Sequence, residues 1–138
     1  MLIRALPSGV RILSVAAHDD GRGRLHAIEQ SGPLPFLPVR LFVIRDVPAE
    51  EVRARHAVSC HEFLWMISGA CTLNIDNGTQ RATLRLRADG TGALVSSGVW
   101  MELREFEQGA ILSVLASAPY AETRYFSAPQ PDLITRFE

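Results

Sequence analysis

The chain alternates between short apolar runs and turn signals, and no segment sustains a 3.6-residue period. Val10–Val15 reads as a strand. His18 to Arg24 (HDDGRGR) carries two glycines and reads as a turn-rich break. Leu25–Glu29 alternates, with Leu25, Ala27 and Glu29 to one side. Three prolines between Pro33 and Pro38 predict a loop. Val39–Val43 is the next strand, closed by Asp46-Val47-Pro48.

In Val52–Val58, strict alternation puts Val52, Ala54, His56 and Val58 on one face and Arg53, Arg55 and Ala57 on the other. Phe63–Ile67 and Ala70–Ile75 are apolar runs joined at Ser68-Gly69. Asn77-Gly78 then marks a hairpin leading into Thr79–Arg87. Ala93–Val95, Val99–Glu105 and Ala110–Ala116 complete a set of about ten strands, with a short helix expected around Asp132–Phe137. Strands spaced about 8–12 residues apart predict an all-β sandwich or closed barrel. No linker divides the 138 residues, so a single domain is expected over 1–138.

Charge narrows the partners. A net charge of -1 favours neither nucleic acid nor an anionic membrane. All 14 basic residues are Arg, a side chain suited to bidentate phosphate contacts. Cys60 and Cys71 are too few for a disulfide framework and are expected to be reduced. No apolar run reaches the ~18 residues that span a bilayer, and the N-terminus lacks a signal-peptide pattern, so a cytoplasmic protein is expected.

Chemistry concentrates between Arg53 and Gly69 (RARHAVSCHEFLWMISG). His56 shares its strand face with apolar residues and is expected to point inward. His61 and Glu62 are neighbours, so at most one of them shares a cavity with His56. His26, on an alternating strand, is a further candidate for the cavity. Trp100 is a candidate for stacking on a base or sugar.

The spacing His56, Val58, Glu62, Gly69 resembles the first motif of the cupins, a family of double-stranded β-helix (jelly-roll) barrels. Zinc and iron sites take three protein ligands. Val58 and Met101 stand at two positions where metal cupins have histidine, so no metal and no cofactor are expected.

A fuller resemblance is to the WxcM-like cupins, the dTDP-sugar 3,4-ketoisomerases. DGRGRLHAIE (Asp20 to Glu29) is similar to that family's D-x-R-G-x-L-x-x-I-E. LPF (Leu34 to Phe36) is similar to its I-P-F, and VRLFVIRDVP (Val39 to Pro48) to its R-V-Y-Y-L-x-D-V-P. Arg53 and His56-Ala57 fit R-G-x-H-A-H, and Cys60 to Gly78 resembles C-H-Q-F-L through D-D-G. GVW (Gly98 to Trp100) and the tail around Tyr120, Glu122 and Tyr125 also fit.

The resemblance implies a dTDP-4-keto-6-deoxyhexose substrate and histidine-mediated proton transfer from C3 to C4 through an enediol. It implies catalytic roles for His56, with His61 or Tyr120 standing in for the second motif histidine, which here is Val58. It implies substrate contacts from Arg40 and Arg53; Arg55, Glu62, Trp100 and His26 are further candidates for substrate binding. The family also implies a homodimer, for which Leu2–Leu6 is a candidate pairing segment. Because valine carries no proton, two alternatives stay open: a nucleotide-sugar epimerase that needs one base, and a cupin that binds a nucleotide sugar without turnover.

Overall fold

The computed structural model describes residues 6–30 and 32–137; the Leu2–Leu6 segment, apart from Leu6, lies outside the described residues. Alternation of side chains dictates the architecture, which is two antiparallel sheets closed on each other. The first sheet orders its strands β1 (Val10–Ser14), β9 (Thr91–Val95), β6 (Glu62–Ser68), β11 (Ile111–Ala116) and β4 (Arg40–Arg45). The second orders β12 (Tyr125–Phe126), β5 (Arg53–Val58), β10 (Trp100–Arg104), β7 (Ala70–Asp76) and β8 (Arg81–Arg87). A separate hairpin pairs β2 (Ala16–Asp19) with β3 (Arg24–Ala27).

Every second residue of the facing strands enters one core. Leu64 and Met66 of β6, Cys71, Leu73 and Ile75 of β7, Met101 and Leu103 of β10, and Leu112 and Val114 of β11 meet between the sheets. The run Phe63–Ile67 is apolar on both sides because part of the outer face of the first sheet is also covered. There Phe63 and Leu94 pack under Val15, Ile28, Leu34, Phe36 and Phe137. The Asn77-Gly78 turn forms as its residues demand. Gly78 takes φ 100°, and the Asn77 side-chain oxygen accepts from the backbone N–H of Thr79 and Gln80. Asp76 pairs with Arg81, so four residues make the connection and the strand starts two residues later than the sequence pattern indicates.

Two local expectations need correction, and one strand left no trace in the pattern. The HDDGRGR stretch is not a break throughout: His18 and Asp19 belong to β2 and Arg24 to β3, and only residues 20–23 turn, held by an Arg22–Asp20 ion pair. The tail forms no helix over Asp132–Phe137, only a 3-10 turn at Pro131–Leu133. Its backbone is spent on loop contacts instead: the Ser97 hydroxyl donates to Leu133 O, and Thr135 N–H donates to the Ser96 hydroxyl. Strand β12 is a two-residue addition that pairs Tyr125 with Val58 and Phe126 with Ala57, too short to leave a periodic signal.

Candidate active site

Strand β5 does not keep strict alternation. Ala54 and Arg55 both adopt positive φ, 68° and 63°, and the ladder with β10 skips a residue: Met101 pairs with His56, but Glu102 pairs with Ala54. This is a β-bulge, one extra residue that re-aims its neighbours. Its consequence is that Arg53, Ala54 and His56 all line the same cavity. Alternation had assigned Arg53 to the opposite face. Arg55, the bulged residue, is turned to the outside, where its Nε donates to Glu102 at 3.3 Å.

The cavity holds about 380 Å³ between the two sheets. Its apolar walls are Phe42, Ile44, Leu64, Met101, Leu103 and Val114; its polar groups are Arg40, Arg53, His56, Glu62, Tyr120 and Tyr125. An apolar pocket with a few converging polar groups is the usual form of a small-molecule site. Arg40 comes from β4 and Glu62 from the start of β6, so the first sheet supplies one wall of charged groups. His56 comes from β5 in the second sheet and so approaches from the opposite wall.

Each polar group has a defined setting. His56 stands edge-on to the Tyr125 ring, centroids 5.0 Å apart, and burial lowers its pKa, so its neutral form is favoured. The Glu62 side chain is 7% exposed, and desolvation pushes its carboxyl up to about 7, against the opposing pull of Arg40. Arg40 lies 4.0 Å from Glu62, its guanidinium carbon 5.1 Å from the Phe42 ring centroid and 5.8 Å from that of Tyr120. The Arg40 Nε is buried and makes no hydrogen bond. Tyr120 is 70% exposed and stands at the rim.

Four other candidate residues lie elsewhere. His61 precedes Glu62 and so faces the other side of β6, where its Nδ1 accepts the Ser97 backbone N–H at 3.0 Å and its ring packs between Phe36 and Phe137. Arg55 is outside, as described. Trp100 lines a groove on the outer side of the second sheet with Asp76, Arg81 and Pro129. His26 stands edge-on to Trp65 on the outer side of the first sheet, 5.3 Å between centroids. The position of Val58 is buried against Cys60 and Ala116, with Phe42 packed over them. Among the described residues no three His, Cys, Asp or Glu side chains cluster as a metal site. Tyr125 is the cavity residue least visible in the pattern of the sequence; its motif context in the tail was the only signal.

A neutral imidazole, a high-pKa carboxyl and an arginine in one largely apolar cavity form a set able to move protons on a bound anionic ligand. Comparison with known proteins agrees in kind. The family model FdtA, described as WxcM-like, C-terminal, matches residues 8–131. The TDP-4-oxo-6-deoxy-alpha-D-glucose-3,4-oxoisomerase of Aneurinibacillus thermoaerophilus is 35% identical over 107 residues, 77% of each chain.

A 3,4-ketoisomerase from Helicobacter canadensis superposes with TM-score 0.81 at 31% identity, covering 87% of this chain and 91% of that one. The WlaRB TDP-quinovose 3,4-ketoisomerase of Campylobacter jejuni does so with TM-score 0.81 at 31% identity, covering 86% and 92%. The all-β fold is thus of the cupin type, and the chain belongs to the FdtA, WxcM-like family.

Proposed function

We propose that this protein is a nucleotide-sugar 3,4-ketoisomerase acting on a TDP-4-keto-6-deoxyhexose. The observation that carries the reading is the placement of His56, the one imidazole among the described residues that lines the cavity, opposite Arg40 and Glu62. Two of the relatives, each about a third identical to the chain, are named for TDP-sugars: TDP-4-oxo-6-deoxy-alpha-D-glucose and TDP-quinovose.

The chemistry follows from the group. Proton abstraction from a carbon next to a ketone needs a neutral base and stabilisation of the charge that moves onto the oxygen. Burial keeps His56 neutral and so ready to accept the C3 proton. The electron pair of the C3–H bond forms the C3–C4 double bond, and the C4 carbonyl oxygen takes the charge. Return of the proton to C4, as O3 becomes the ketone, completes the isomerisation with no change in formula. Arg40 and Arg53, at the same cavity, supply positive charge for the pyrophosphate or the enediolate. Tyr120 and Tyr125 close the rim over the sugar or base.

The direct test is incubation with TDP-4-keto-6-deoxyglucose in deuterated water. Formation of the 3-keto sugar with label at carbon supports the reading. Stabilisation by TDP with neither exchange nor product points to the binding-only alternative. Exchange at C3 with the 4-ketone kept and the configuration changed identifies an epimerase.

The family reading also carries a homodimer. Leu41 and Val43 of β4 and Ile67 of β6 are exposed on the outer side of the first sheet, and β4 is an edge strand among the described residues. A second copy of this chain covering that apolar edge accounts for it. Sedimentation at micromolar concentration should give twice the mass of 15.2 kDa; a monomer there rejects the dimer without touching the isomerase assignment. No helix among the described residues is long and apolar enough to cross a membrane. Both cysteines are free and buried, in keeping with a cytoplasmic site of action.

A further inference from the structure

The cavity offers one imidazole to a reaction in which two protons change place. One moves from C3 to C4. The other leaves O3 as O4 gains one. We propose that Glu62 is the second proton carrier, delivering a proton to O4 and taking one from O3 while His56 serves the two carbons. This assignment rests on the isomerase reading and deepens it.

The structure gives Glu62 no comfortable structural role. Glu62 lines the cavity together with Leu64, Phe42 and Val114, and Arg40 is its facing cation, at 4.0 Å, beyond hydrogen-bond reach. A buried ion pair with so loose a geometry is a poor source of stability, since desolvation of both charges offsets their attraction. The same surroundings suit a proton carrier. Desolvation raises the carboxyl to about 7, where it both holds and releases a proton near neutrality. The charged and titratable groups around it are Arg40 from β4, Arg53 and His56 from β5, Tyr120 and Tyr125 from the tail, and Cys60 just before β6. His61, its sequence neighbour, is turned away and bonded to Ser97.

The steps balance. His56 takes the C3 proton as the C3–H electron pair becomes the C3–C4 double bond. Glu62, entering protonated, gives its proton to O4, leaving a neutral enediol and a carboxylate across the cavity from the His56 imidazolium. The carboxylate then takes the O3 hydroxyl proton, the O3–H pair forms the C3 carbonyl, and the double-bond electrons take the imidazolium proton at C4. Both side chains end as they began, and no oxidant, reductant or metal enters.

The test is Glu62→Gln in the full chain with TDP-4-keto-6-deoxyglucose in deuterated water. The amide still donates a hydrogen bond to O4 but has no acidic proton to transfer to it. Product formation should fall about 10²- to 10⁴-fold, C3 exchange should fall less, and thermal stabilisation by TDP should persist. Product formation within about threefold of the parent overturns the assignment. So does a parallel loss of exchange and product, which marks a residue that merely positions Arg40. If the variant does not fold, the parent's own pH profile decides: kcat should fall by one proton's slope above about pH 7, and a flat profile there overturns the assignment. A parent protein that turns over no keto sugar removes the isomerase reading itself and this assignment with it.

Discussion

Arg40 and Glu62 face each other at 4.0 Å from β4 and β6, the two strands that flank β11, with side chains only 17% and 7% exposed, yet they do not hydrogen-bond. The guanidinium Nε is buried and without an acceptor. A cation held in this way is poised for an acceptor that arrives with a ligand. Arg40→Ala should therefore weaken TDP binding by about 1.5–3 kcal/mol, roughly 10- to 100-fold, the range for a hydrogen bond to a charged group. Titration calorimetry reads this directly. Unchanged affinity would move the phosphate contact to Arg53 or elsewhere.

Glu62 also sets a pH dependence of stability. Its folded-state pKa of about 7 lies above the ordinary value of 4.5. The folded state therefore binds more protons than the unfolded state between these values, and stability falls as pH rises from about 4.5 to 7. The accumulated loss is on the order of 3 kcal/mol. Glu62→Gln should remove it, so the variant should gain stability over the parent at pH 8 and lose that advantage by pH 4. Urea denaturation at the two pH values measures the difference. Equal differences at both pH values would mean that the carboxyl is solvated in the folded protein.

The bulge in β5 stores strain. Ala54 sits at φ 68° and Arg55 at 63°, a region that costs a residue with a Cβ about 1–3 kcal/mol. Ala54→Gly should relieve part of this, raising stability by about 1 kcal/mol while the bulge and the placement of Arg53 stay intact. Ala54→Val should do the reverse and more, because a branched side chain tolerates positive φ poorly. Thermal melts of the two variants check the sign. A destabilised glycine variant would show that the turn is held by more than backbone preference.

His61 has a structural duty. Its Nδ1 accepts the Ser97 N–H, and burial lowers its pKa, so its stability contribution is present above the unfolded pKa of ~6.5 and lost as pH falls below it. His61→Ala leaves that N–H without its acceptor and should cost about 1–3 kcal/mol at pH 8, with less cost at pH 5. Turnover per folded molecule should be unchanged, because the ring lies on the far side of β6 from the cavity. A large loss of kcat in a folded His61→Ala protein would restore His61 to the chemistry.

What was legible in the sequence follows from where period-2 alternation is kept. Strands β6, β7, β10 and β11 alternate cleanly or run apolar, and their residues land in the core as their pattern requires. Alternation likewise separates His61 from Glu62 without saying which of them faces the cavity; the structure puts Glu62 there. The pattern fails at the bulge, because two consecutive positive-φ residues leave no mark when they are Ala and Arg rather than Gly. Arg53 consequently leaves the outer face that strict alternation gives it and lines the cavity, while Arg55 stays outside. It also fails at His18–Arg24, where turn-forming residues sit in paired strands of an exposed hairpin with little core to pattern them. Trp100 and His26 look like ligand contacts by residue type alone, but each lies on the outer side of a sheet.

The central claim is that the imidazole at position 56 removes a proton from a sugar carbon next to a ketone. Proton NMR of TDP-4-keto-6-deoxyglucose in deuterated water, with the parent protein and His56→Ala side by side, tests it most directly. With the parent, the remaining 4-keto sugar should gain deuterium at C3, and the 3-keto sugar should accumulate with deuterium at C4. With the alanine variant the account expects neither, while thermal stabilisation by TDP is retained. Exchange at the parent's rate in the alanine variant would contradict it.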